Sequence, residues 1–73
     1  MANKNQELIT KVTTCRVNYR KSRSISDDTL AGTLEKGVNV SVLDGSKKKY
    51  NGVYWEKVLI DENYYYIMSE YIK

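Results

Sequence analysis

The sequence predicts an all-β fold, a small antiparallel barrel of five to seven strands, and three observations predict it. Val, Ile, Thr, Tyr and Trp gather in short runs bounded by Gly, Asn, Asp and Ser. No window repeats apolar residues at three- and four-residue spacing over several turns, so no amphipathic helix is expected. The chain has 73 residues, room for one small domain and a tail, and closing a short sheet on itself leaves few exposed edges.

The elements follow in order. Residues 1–11 are mostly polar, with one apolar pair at Leu8 and Ile9, and read as a flexible tail or linker, leaving 12–73 for the barrel. KVTTCRVNYR reads as the first strand, marked by Val12, Val17 and Tyr19, and KSRSISDDT after it as a polar surface loop. LAGTL is a short strand that turns at Glu35-Lys36-Gly37, where glycine supplies a positive φ. VNVSVL alternates Val38, Val40 and Val42 with Asn39, Ser41 and Leu43, the pattern of a half-buried antiparallel strand. DGSKKKYNG reads as a polar loop between the turn pairs Asp44-Gly45 and Asn51-Gly52. VYWEKVLI carries Val58 and Ile60 on one face and Trp55 and Leu59 on the other, which requires either two covered faces or a bulge. Asp61-Glu62-Asn63 turns the chain into NYYYIM, a further strand, and Ser69-Glu70-Tyr71-Ile72 has the length of one 3₁₀ turn. The expected strand order is that of a meander.

Composition excludes several chemistries. The chain has no His and one Cys, Cys15, so it holds neither a Ser-His-Asp nor a Cys-His nucleophile pair, no Cys/His zinc cage and no internal disulfide. Asp27-Asp28 and Asp61-Glu62 are adjacent acids in turns, where they serve turn geometry and solubility. No catalytic, metal or cofactor site is expected. The apolar runs are too short to span a membrane, and the first residues lack the apolar stretch of a signal peptide. Net charge is +3, but it alternates: positive over 1–23, negative over 24–46, positive over 47–57 and negative over 58–73. Such segmentation does not make the uniformly basic face of a dedicated nucleic-acid binder.

Four segments, in order, resemble the bacterial SH3 domain family. Val12-Thr13-Thr14 and Val17-Asn18-Tyr19-Arg20 are similar to its opening Val-Thr-Ala and Leu-Asn-Val-Arg. LAGTLEKG with the strand behind it is similar to its Ile-Gly-Thr-Leu-Lys-Lys-Gly turn. Trp55-Glu56-Lys57-Val58 resembles its Trp-x-Lys-Val strand, and Tyr66 to Ile72 its closing aromatic-Val-x-Ser-x-Tyr-Leu. The chain departs from the family at Lys21-Ser22-Arg23, where Ser-Gly-Pro is usual, and at Tyr65, where a glycine is usual. The resemblance implies an SH3-like barrel over about Val12 to Lys73. It implies a non-catalytic module that binds peptidoglycan or its peptide cross-links, and holds a neighbouring hydrolase or repeat domain, or a surface protein or phage endolysin, on the bacterial wall. It also implies a secreted, wall-associated or phage-released protein, a setting consistent with the single thiol.

Seven tyrosines and one tryptophan with no phenylalanine must serve both core and ligand surface, since aromatic rings with a polar tip suit shallow grooves. The ligand-binding set is Asn18, Tyr19, Arg20, Lys49, Tyr50, Tyr54, Trp55, Tyr66 and Tyr71. By analogy with the family Trp55 and Tyr71 fall to the groove, while Tyr65 and Tyr66 stay open. Asn18 offers donor and acceptor and Arg20 a planar fork for a carboxylate; alternatively Asn18 satisfies the loop backbone and Arg20 pairs with Asp27 or Asp28. Lys47, Lys48 and Lys49 beside Tyr50 give a second function to weigh, an intracellular SH3-like or OB-like barrel binding protein or single-stranded nucleic acid, in which lysines follow phosphates and aromatics stack on bases.

Overall fold

The computed structural model describes residues 7–73 and places seven strands in one antiparallel sheet: β1 (Leu8–Val12), β2 (Val17–Arg20), β3 (Leu30–Leu34), β4 (Asn39–Leu43), β5 (Lys48–Tyr50), β6 (Val53–Ile60) and β7 (Asn63–Met68). Two 3₁₀ turns, Asp27–Thr29 and Ser69–Tyr71, complete it. The all-β, barrel-like architecture is as expected, with the strand number at its upper bound. The order is β1-β4-β6-β7-β2-β3, with β5 on the edge of β6. The meander expectation is therefore corrected: β1 pairs with β4 and β2 with β7, both across long stretches of chain.

Three local expectations change with it. Residues 8–11, taken for tail, are the larger part of β1 and pair in register with β4 from Leu8↔Leu43 to Val12↔Asn39; the rest of that tail, 1–6, lies outside the described residues. The single strand expected over 11–20 is two strands parted by a bend at Thr14-Cys15, which puts Cys15 in the bend. Finally, Lys48–Tyr50 lies inside the expected polar loop yet pairs with β6 as β5.

Turn chemistry explains the two tight hairpins. Asn51 and Gly52 both have positive φ, 51° and 80°, as do Asp61 and Glu62, 51° and 68°. Positive φ at both central residues is the type I′ geometry that matches strand twist. Asn-Gly adopts it without strain, whereas Glu62 does so against its own preference.

Pairing partners share a face of the sheet. The inner face collects Val17, Val40, Val42, Val58, Ile67 and Ile72, with Tyr19, Leu34, Ile60, Tyr65 and Tyr71 packed around them. Tyr19 meets Tyr65 edge to face at 4.9 Å, and its ring lies where a Cβ on Gly32 would stand. Both faces of β6 are covered, since Trp55 on the outer side and Glu56 and Val58 on the inner are all buried. No bulge is needed in β6; the register shift lies between β2 and β3, at Tyr19/Arg20.

Polar side chains close the gaps that the strands leave. Glu56 is buried at 4% exposure and is met by Lys11 Nζ at 2.9 Å and by the Ser69 hydroxyl, which donates to it at 2.7 Å. β6 passes from β5 on one edge to β4 further along, and the Lys57 N–H between them donates to Ser46 Oγ at 2.9 Å. Thr13 Oγ1 donates to the Glu35 carbonyl and accepts from the Val38 N–H, at 2.6 and 2.8 Å. The C-terminus is tied to the same region, with Val12 and Lys73 exchanging two backbone hydrogen bonds.

Candidate functional site

The period-two alternation of β2, β6 and β7 decides which predicted site residues can meet. Arg20 pairs with Tyr66 and Trp55 with Met68, so Asn18, Arg20, Trp55, Tyr66 and Met68 occupy the outer face. Arg16, Asn18, Arg20, Trp55, Met68 and Tyr71, together with Val17 of the inner face, line an open recess of ≈ 270 Å³. The 3₁₀ turn after β7 supplies Tyr71, and Trp55 forms the floor at 2% exposure. Four members of the sequence-derived set, Asn18, Arg20, Trp55 and Tyr71, are thus brought together.

The other five fall elsewhere. Tyr19, between Asn18 and Arg20, points to the core side against Tyr65, as alternation requires. Tyr66 is on the outer face but lies beneath Arg23, whose guanidinium carbon is 4.5 Å from the ring centre. Tyr50 borders a separate small recess with Ser22, Arg23 and Ser24. Lys49 pairs with Tyr54, and both stand on the face of the β5–β6 hairpin opposite Trp55. There Lys47 and Lys49 lie over the Tyr54 ring at 5.2 and 5.9 Å, and Lys47 and Tyr54 border another recess with Gly52, Val53, Ser69 and Glu70. Of the two tyrosines left open by sequence, Tyr65 belongs to the core and Tyr66 to the outer face.

The recess residues are held by local bonds. Arg20 does not pair with Asp27 or Asp28; its guanidinium donates to the Ser26 carbonyl at 3.0 Å and to Thr29 Oγ1 at 3.3 Å, and so fixes the loop between β2 and β3. One terminal nitrogen serves both bonds, and among the described residues the other donors of the fork make no hydrogen bond. The Asn18 carboxamide oxygen accepts from the Thr33 hydroxyl at 2.9 Å, which leaves the amide NH₂ as the donor end. Arg16 forms an exposed ion pair with Glu35 at 3.4 Å, a contact weak enough in water to exchange for a ligand. The Glu70 carboxylate beside Tyr71 raises its phenol above the ordinary 10.0, and desolvation and a hydrogen bond to Glu70 act the same way. Tyr71 is therefore a neutral hydroxyl at neutral pH.

Arg16 and Met68, which also line the recess, were not singled out from the sequence. The alternation of NYYYIM places Met68 on the same face as Tyr66, two residues away, and so carried the signal for the second. Among the described residues no group of three or more His, Cys, Asp or Glu is placed to hold a metal ion, and no helix is long and apolar enough to cross a membrane. Set beside protein-family models, curated proteins and solved structures, the chain matches none.

Proposed function

We propose that this chain is a bacterial SH3-type module, non-catalytic, which binds a carboxylate-bearing peptide of peptidoglycan in the outer-face recess and so holds an attached hydrolase or surface protein on the wall. The observation that carries the reading is the convergence of Arg16, Asn18, Arg20 and Tyr71 around the buried ring of Trp55. Guanidinium forks recognise carboxylates, an amide donor meets a peptide carbonyl, and an indole floor gives apolar contact without ordering cost. A secreted or wall-associated setting goes with this function. A shallow recess with few anchors supports affinities of about micromolar or weaker, which a repeating wall polymer raises through effective concentration.

Single-stranded nucleic acid is disfavoured by one contact in particular. That reading joins the lysine run to Tyr50, yet Lys47 and Lys49 lie over Tyr54, and Lys49 alternates onto the hairpin face opposite Tyr50.

The test is sedimentation with purified peptidoglycan. Trp55 is the floor and is buried, so its replacement by Ala would probe the fold as much as the site. Asn18→Ala and Arg16→Ala change exposed side chains, and each removes a hydrogen bond worth roughly a 2- to 10-fold loss of binding. Unchanged sedimentation of the double variant contradicts the reading.

A further inference from the structure

Arg23 stands in the loop between β2 and β3 and folds back over the sheet onto Tyr66. Its Nε is the one buried side-chain nitrogen or oxygen among the described residues that has no hydrogen-bond partner. Among the described residues Arg23 forms no ion pair with a carboxylate. A buried guanidinium N–H left without an acceptor carries a desolvation penalty that a ligand oxygen would remove. Next to it is an open recess of ≈ 230 Å³ bordered by Ser22, Arg23, Ser24 and Tyr50. The Ser24 hydroxyl is engaged with Ser26, whereas among the described residues the hydroxyls of Ser22 and Tyr50 make no hydrogen bond. Lys48 and Tyr50 pair with Trp55 and Val53, which puts them, and a further positive charge, on this same outer face.

We propose that this recess binds a phosphate group, free or in ester linkage, through Arg23 with Ser22 and Tyr50 as hydroxyl donors. A planar carboxylate is satisfied in the plane of the guanidinium fork. A tetrahedral anion also offers oxygens out of that plane, where donors from Ser22 and Tyr50 engage it at the same time. The Tyr66 ring supports the guanidinium by its negative face, and binding requires the buried Nε edge to slide along the ring toward the recess. The Arg23 subsite stands independently of the wall-peptide reading, because it shares no lining residue with the Trp55 recess.

The experiment follows the Arg23 Nε–H resonance of the full chain by NMR at constant ionic strength. The probes are inorganic phosphate, a glycerol phosphate oligomer and acetate. Phosphate is expected to move that resonance saturably and acetate to move it at least 5-fold more weakly; a tighter response to the oligomer identifies the ester as the source. Arg23→Lys keeps the charge and removes the fork, and Ser22→Ala removes one exposed hydroxyl. Each is expected to weaken the phosphate response of the neighbouring backbone amides several-fold while the rest of the spectrum stays that of the folded chain. No saturable shift, an equal response to acetate, or an unchanged response in both variants overturns the proposal.

Discussion

The hydroxyl of Thr13 links the carbonyl of Glu35 to the N–H of Val38, and its backbone bonds Gly37 and Val38 in the same turn. Thr13→Val keeps the shape and leaves a donor and an acceptor unpaired, for an expected loss of about 2 kcal/mol in urea unfolding. Glu62 lies in the opposite situation, a side chain held at a φ of 68°. Glu62→Gly relieves αL strain but loosens the unfolded chain, and the expected net gain is roughly 0.5 kcal/mol by the same measurement. For Tyr71 the prediction concerns ionisation. The folded state holds its proton more tightly than the unfolded chain does, chiefly because of Glu70. This coupling costs nothing below pH 10, and stability falls as pH rises past that unfolded value toward the folded one. Glu70→Gln should lower the Tyr71 midpoint, read as the phenolate absorbance that Tyr71→Phe removes. Little of this was legible in the sequence, because the partners of Thr13 and Glu56 lie 22 and 45 residues away. A buried glutamate in a strand gives no local sign of the lysine that meets it.

At the scale of elements, β4 was readable because Val40 and Val42 both face the core, and period two is unambiguous when every inward residue is apolar. β1 was not, because its pairing turns Ile9 and Lys11 inward opposite Val42 and Val40. An inward lysine breaks the pattern, and only the charge of Glu56 makes it tenable. β5 has three residues, all exposed, and so no apolar face to announce it. Placing the domain start at Val12 therefore cuts away most of a strand. Removing residues 1–11 is expected to unfold the domain or strongly lower its denaturation midpoint in urea. Lys11→Met, which keeps β1 but isolates the Glu56 charge, should cost about 3 kcal/mol. A deletion that leaves the midpoint unchanged would show that β1 is dispensable.

Across the whole molecule, the sheet sorts the aromatic residues that composition left undivided. Tyr19 and Tyr65 fill the inner face, Trp55 and Tyr66 belong to the outer one, and Tyr54 stands under two lysines on the hairpin. Family analogy assigned Trp55 and Tyr71 to the groove, and side-chain chemistry made Asn18 and Arg20 candidates beside them. What neither conveyed was the sidedness that separates Tyr19, Lys49 and Tyr54 from them, although strict alternation along β2 and β6 contains that information. The most direct measurement of the central claim is an NMR titration of the whole chain with a soluble peptidoglycan stem peptide, following the indole N–H of Trp55, the Asn18 side-chain amide and the backbone. The account predicts saturable shifts centred on residues 16–20, Trp55 and 68–71, and quiet resonances at Lys47, Lys49 and Tyr54. Shifts centred on the lysine hairpin with the Trp55 recess unmoved would contradict it.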